Sequence, residues 1–323
     1  MKKFNWLLLI VLVVGVLTAC GSDETSGEVQ GASGSSSDAS VAVVLKTLSS
    51  PYWKYVEAGA KKAGQELGVD VTVVGPSSEA EVLEQVNMLE DQISQNPSAI
   101  LLSPTQPDTI INVVKDASRN DIPVLLIDTD ADFEGKVTFI GTDNYTAGFE
   151  GGTALAAMLT KGDKVALISG ALGNPSTDDR IKGAKEALQE AGMEIVAEQP
   201  ANSDKSEAMS VMENILEKHG DIKAVFSAND DMALGVLRAV QAKKLDVKIF
   251  GTDGTEEAVQ SILDGGLTGT VAQSPYNMGY EGVSNAIKAI NGEKVEERID
   301  SGIEIVTADS AQEFMDFLKS ISK

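Results

Sequence analysis

The sequence predicts an α/β protein made of two similar, doubly wound parallel-sheet lobes. Three observations carry this reading. The chain has 323 residues, enough for two domains at the usual ~150 residues each. Short β-branched runs alternate with helical periods, the pattern of parallel sheets covered on both faces. The pattern then repeats in the second half of the chain at one nearly constant offset.

The elements follow in order. Val41–Leu45 is a buried apolar run. Trp53, Val56, Ala60, Ala63 and Leu67 then recur at three- to four-residue spacing, a helix face ended by Gly68. Val69–Val74 is the next strand. A helix over Glu79–Asn96, a strand at Ala99–Leu102, a helix over Pro107–Asn120 and a strand at Val124–Ile127 complete the first series.

The second series answers the first. Val165–Ser169 corresponds to Val41–Leu45. Gly183–Gly192 matches Gly59–Gly68 nearly residue for residue, and Thr252-Asp253 stands where Ile127-Asp128 stood. Three matching registers at one offset indicate duplication. Ligands of doubly wound sheets sit outside the C-terminal ends of the strands. Two such lobes facing each other would hold their site in the cleft between them.

The N-terminus has a separate function. Lys2 and Lys3 precede an apolar stretch from Leu7 to Leu17, followed by Leu17-Thr18-Ala19-Cys20. A basic start, a short apolar core and a small residue before the cut describe a signal peptide over residues 1–19. Leu-Thr-Ala-Cys resembles the bacterial lipoprotein box, which makes Cys20 the expected lipidation site. An uncleaved anchor, or ordinary secretion with a chance Cys, is the competing account. Residues 20–40 are rich in Gly and Ser and almost free of apolar side chains, so they read as a flexible tether. At that length it reaches roughly 25 Å on average.

Composition excludes several functions. Acidic residues outnumber basic ones 49 to 26, a formal charge of −23, so phosphate-dense nucleic acid is not an expected partner. One Cys and one His leave no intrachain disulfide, no Cys/His zinc cluster and little for a His-based triad. No metal or cofactor is expected. Asp128 to Glu134 imitates calcium-loop spacing, but Phe133 fills the glycine position and Phe139 the terminal carboxylate position. His219 falls at a helix C-terminus, where a cation is favoured structurally.

Candidate binding residues cluster just beyond the strands. Lys46 directly follows the first strand, and Tyr52 and Trp53 lie in the loop after it. Aromatic rings present flat faces to the C–H faces of sugars. Asp128 and Asp253 end equivalent strands of the two lobes, and a carboxylate accepts charge-assisted bonds from vicinal hydroxyls. Arg180 opens a helix of the second lobe with a planar donor fork. Asn229 and Gln273 also follow strands, and amides both donate and accept. Each has a plainer account: core packing for the aromatics, a surface charge for Lys46 and Arg180, a turn or cap for the Asp residues.

These residues together resemble the ribose/allose class of periplasmic sugar-binding proteins that feed ABC importers, over roughly Val41 to Ile305. The resemblance is carried by Val43–Ser49 with Pro51-Tyr52-Trp53, by Gly173-Asn174, by Ser227–Asp230 with Met232, by Gly251–Gly254 and by Thr270–Gln273. It implies the type I periplasmic binding fold, with a three-strand hinge crossing near 143–144, 274–275 and 302–303. The lobes would then be residues 41–143 plus 275–302 and residues 144–274 plus 303–323. It implies a sugar pocket lined by Lys46, Tyr52, Trp53, Asp128, Arg180, Asn229, Asp253 and Gln273, and no catalysis. The implied partners are a monosaccharide or polyol and an ABC permease with its ATPase, for a monomer held to the membrane by its lipid alone. A sugar sensor that signals to a membrane receptor or kinase is the alternative. Four positions depart from the family pattern: Ser50 and Ser103 replace Asn, Thr129 replaces the Arg of the ribose type, and Ser203 replaces an aromatic that covers the sugar.

Overall fold

The structure is a computed structural model and describes residues 39–321. The expected signal peptide, Cys20 and most of the tether lie outside the described residues. The first sheet is built from β1 (Ser40–Val44), β2 (Asp70–Val74), β3 (Ala99–Leu102), β4 (Val124–Ile127), β5 (Lys136–Gly141) and β11 (Arg298–Asp300). Their order is β11-β5-β4-β3-β1-β2, all parallel.

Period-two alternation explains why this sheet is covered twice. Val41, Val43, Leu45, Leu101, Leu125 and Ile127 pack on one face beneath α1 (Pro51–Leu67) and α9 (Pro275–Ile290). Ala42, Val44, Ile100, Leu102, Val124 and Leu126 pack on the other with Leu89, Ile110 and Val114. The last three come from α2 (Val82–Ser94) and α3 (Pro107–Arg119).

The second sheet repeats the plan with β6 (Lys164–Ser169), β7 (Glu194–Pro200), β8 (Ala224–Ser227), β9 (Lys248–Asp253), β10 (Gly269–Ala272) and β12 (Glu304–Thr307). Its order is β12-β10-β9-β8-β6-β7. Its helices are α4 (Asn144–Ala156), α5 (Pro175–Glu190), α6 (Lys205–Lys218), α7 (Asp230–Ala242), α8 (Glu256–Leu263) and α10 (Ala311–Ile321). His219 is the C-cap residue of α6.

One strand departs from the all-parallel expectation: β12 runs antiparallel to β10. The chain leaves β11 at its C-terminal end and enters the second sheet from the cleft side. Its neighbours there end at the cleft, so the entering strand must run away from it. The chain passes between the sheets three times, after β5, after β10 and between β11 and β12.

The repeated Gly59/Gly183 motif has a packing cause. A Cβ on Gly59 would lie 1.9 Å from the Tyr276 carbonyl oxygen, and one on Gly279 2.0 Å from that of Val56. The second lobe uses the same device between α4 and α5: a Cβ on Gly148 would lie 1.9 Å from the Arg180 carbonyl oxygen, and one on Gly183 2.2 Å from that of Tyr145. Each lobe therefore has a helix pair whose backbones touch, and the second lobe adds another, where a Cβ on Gly235 of α7 would lie 2.1 Å from the Lys205 carbonyl oxygen of α6.

The helix expected from Glu79 begins instead at Val82. Glu81 Oε2 accepts from Ser77 N, Ser77 Oγ and Ser78 N. This ties residues 77–81 into a turn that competes with the helix, and Glu79 stays outside it on the cleft wall.

Candidate functional site

Both sheets point their C-terminal ends at a cleft, and its lining comes from both lobes. Lys46, Tyr52, Trp53 and Asp128 from the first lobe and Arg180, Asn229 and Asp253 from the second surround one cavity. Gln273 adjoins it, donating from Nε2 to Asp253 Oδ1 at 2.8 Å. Its Oε1 is buried without a hydrogen-bond partner.

In the first lobe, Asp128 is the hub. Its Oδ1 accepts from the Tyr52 hydroxyl at 2.9 Å; its Oδ2 accepts from Thr129 Oγ1 at 2.9 Å and faces Lys46 Nζ at 3.0 Å. Lys46 and Asp128 are each only 3% exposed. Burial pushes the Asp128 carboxyl up, but the Lys46 ammonium and Arg180 guanidinium outweigh it and hold it below its ordinary value. Burial, with the Asp128 charge beside it, pushes the Tyr52 phenol well up, so it remains a donor. Trp53 packs edge-on to Tyr52, with Lys46 Nζ 5.6 Å from its ring centre. Both aromatics also belong to the apolar core under α1, so packing and cleft lining are served by the same rings.

In the second lobe, Arg180 donates from Nε to Asn144 Oδ1 at 2.8 Å and from Nη1 to the Ala228 carbonyl at 2.9 Å. Its Nη1 lies 3.3 Å from Asp253 Oδ1. Burial is the largest influence on Asp253 and, helped by the Asp230 and Asp128 charges, raises its carboxyl well above the usual range despite Arg180. Asn229 uses its side-chain oxygen to cap α7, accepting from Met232 N at 2.9 Å, which leaves its amide NH2 for a ligand. Asp128 and Asp253 both have positive φ, 61° and 134°. That region is disfavoured for residues with a Cβ, and such strain gathers where a side chain must be aimed.

The lobes are latched across the cleft. Ser176 Oγ accepts from Lys46 Nζ at 3.2 Å and lies 3.1 Å from Thr129 Oγ1, and Ser50 donates to Asp231 Oδ2 at 2.7 Å. Asn174 Nδ2 reaches the Thr105 carbonyl at 2.7 Å. The polar side chains close on one another and leave about 20 Å³ between them, the volume of a water-sized probe.

Ser50, Glu79, Ser176, Thr177 and Ser203 also line the cavity. Glu79 Oε1 accepts from Trp53 Nε1 at 3.2 Å. Thr129 is fully buried between Asp128 and Ser176. Ser103 is buried, its carbonyl taken by Gln85 Nε2 at 2.8 Å, and it does not face the cavity. Asp130, from the calcium-like run, is paired with Lys136. Among the described residues no group of three His, Cys, Asp or Glu is placed to hold a metal ion, and no helix is long and apolar enough to cross a membrane.

Comparison with known proteins gives one consistent picture. The periplasmic binding protein domain matches residues 41–294. The ribose import binding protein RbsB of Haemophilus influenzae is 33% identical, over 90% of this chain and 99% of its own. The D-allose-binding periplasmic protein of Escherichia coli is 35% identical, over 80% and 86%. Among solved structures, a carbohydrate transporter solute-binding protein of Agrobacterium radiobacter in complex with D-arabinose superposes with a TM-score of 0.83. It is 31% identical, over 87% of this chain and 98% of that one.

Proposed function

The chain belongs to the periplasmic binding protein family, in its ribose/allose sugar-binding class, and from that premise we propose that it is the extracytoplasmic binding lipoprotein of an ABC sugar importer. Its ligand is a monosaccharide or related polyol held between lobes of residues 41–143 plus 275–302 and 144–274 plus 303–323. One observation carries the reading. Two buried carboxylates, Asp128 and Asp253, approach one cavity from opposite lobes, each beside a cation of its own lobe.

Ring hydroxyls donate to the carboxylates and accept from Lys46, Arg180, Asn229 and Gln273, while Tyr52 and Trp53 cover an apolar ring face. A site with so many buried polar groups discriminates epimers, because a misplaced hydroxyl leaves one of those groups unpaired. Nothing in this arrangement needs a covalent step. The Cys20 lipid and the tether keep the monomer at the membrane surface, within reach of a permease and its ATPase.

A thermal-shift screen of pentoses, hexoses, inositols and polyols tests the reading. A true ligand at a hundred times its Kd adds about 2.7 kcal/mol, and Asp253→Ala or Arg180→Ala removes that shift while the protein still melts cooperatively. If no sugar or polyol shifts the melt, the ligand class is wrong. If both variants bind as tightly as the parent chain, the pocket is wrong.

A further inference from the structure

The cleft does not end at the cavity just described. A second hollow of about 200 Å³ opens from it toward solvent, between the two lobes. Ser50, Glu79, Ser203 and Asn229 line both, so the two spaces share a wall. The outer hollow holds about 200 Å³ against about 20 Å³ for the inner cavity.

Its lining is hydroxyl- and amide-bearing: Thr47, Ser49 and Ser77 on the first lobe, Asn202 and Ser203 on the second. The charges at its rim are already engaged. Asp231 accepts from Ser50 and faces Lys205, and Asp204 caps α6 through Ser206 N and Glu207 N. Glu79 spends Oε1 on Trp53, and Oε2 is left for a ligand hydroxyl. The hollow exists because small side chains stand at its wall. Asn202 and Ser203 lie in the left-handed region, with φ of 48° and 58°, a turn that suits short polar residues and disfavours bulky ones.

Resting on the sugar-binding reading above, we infer that the outer hollow is a second hydroxyl-recognising subsite, and that beside a free monosaccharide the protein takes a glycoside whose inner sugar occupies the Asp128/Asp253 cavity and whose second hydroxyl-rich unit occupies the hollow. A polyol unit fits the hydroxyls and amides of this wall, and the carboxylates of Glu79, Asp204 and Asp231 outnumber Lys205, which disfavours an anion. It fits better than an aromatic base, since no aromatic side chain lines the hollow.

Isothermal titration of the full mature chain tests this with D-glucose, D-galactose, D-ribose and D-allose, their methyl glycosides, and cellobiose, maltose, lactose and melibiose. At least one disaccharide is expected to bind tenfold or more tightly than its own monosaccharide. Ser49→Phe, an exposed position lining only the outer hollow, then lowers disaccharide affinity tenfold or more and leaves the monosaccharide within twofold. Intact monosaccharide binding shows that the variant folds. Monosaccharide binding with every disaccharide a hundredfold weaker overturns the inference and leaves the sugar-binding reading standing. Binding of neither class overturns both.

Discussion

Lys46→Met removes one charge of a buried pair while keeping most of the side-chain volume. At 3.0 Å and an effective dielectric of 20, the lost attraction is about 5.5 kcal/mol. Tyr52 and Thr129 still donate to Asp128 and Arg180 still favours its charge, so the net cost is placed lower. About 3 kcal/mol at pH 7 is expected, the lower end of what breaking a buried pair costs. The pH dependence is the sharper test. In the parent chain Asp128 titrates below its unfolded value, so its stabilising contribution is present above about pH 4 and constant from pH 5 to 8. Without Lys46 burial dominates and the carboxyl is driven up; its contribution then falls as pH rises. The gap between variant and parent therefore widens with pH, by up to about 1.4 kcal/mol per unit. Urea unfolding followed by far-UV circular dichroism at pH 5, 6, 7 and 8 measures it. A cost below about 1 kcal/mol at pH 7, or one independent of pH, refutes the reasoning. The double variant Lys46→Met/Asp128→Asn recovers part of the loss; additive costs would count against a coupled pair.

Three further expectations follow from the packing. Gly148→Ala drives a methyl group into the Arg180 carbonyl, so it lowers stability by about 1–3 kcal/mol and weakens sugar affinity through Arg180; thermal melts and titration read the two effects. Gln85, fully buried, joins the Leu45 and Ser103 carbonyls and the Thr105 amide. Gln85→Ala orphans three buried backbone groups and costs about 3 kcal/mol or more in urea unfolding. Burial raises Asp230 to about 7, above its unfolded value of about 3.9, so its contribution is full at low pH and is lost as pH rises through 7. Asp230→Asn mimics the protonated acid and flattens that part of the stability curve, as melts between pH 5 and 8 would show.

The two sheets were legible because strand residues buried on both faces leave continuous apolar runs, as in Val124–Ile127. Asp128 and Asp253 were legible because duplication put them at equivalent strand ends, although their backbones differ, with φ of 61° and 134°. Glu79 was not legible. Apolar periodicity extends the helix back to it, and the turn that excludes it is held by side-chain bonds of Glu81 and Ser78 that leave no apolar signal. Ser176 and Thr129 gave no signal either, since a small hydroxyl acquires a role across the cleft only when the opposite lobe supplies its partner. The direction of β12 depends on the face from which the chain enters the sheet, which no local pattern encodes.

The backbone-touching helix pairs carry a mechanical consequence. α4 and α9 each begin within a few residues of a crossing, and each is clamped by glycine contact to a helix of the lobe it has just entered. The connecting segments are therefore short flexures between stiff anchors. A twist imposed on either of these two segments would be passed to a pair of locked helices rather than absorbed within one.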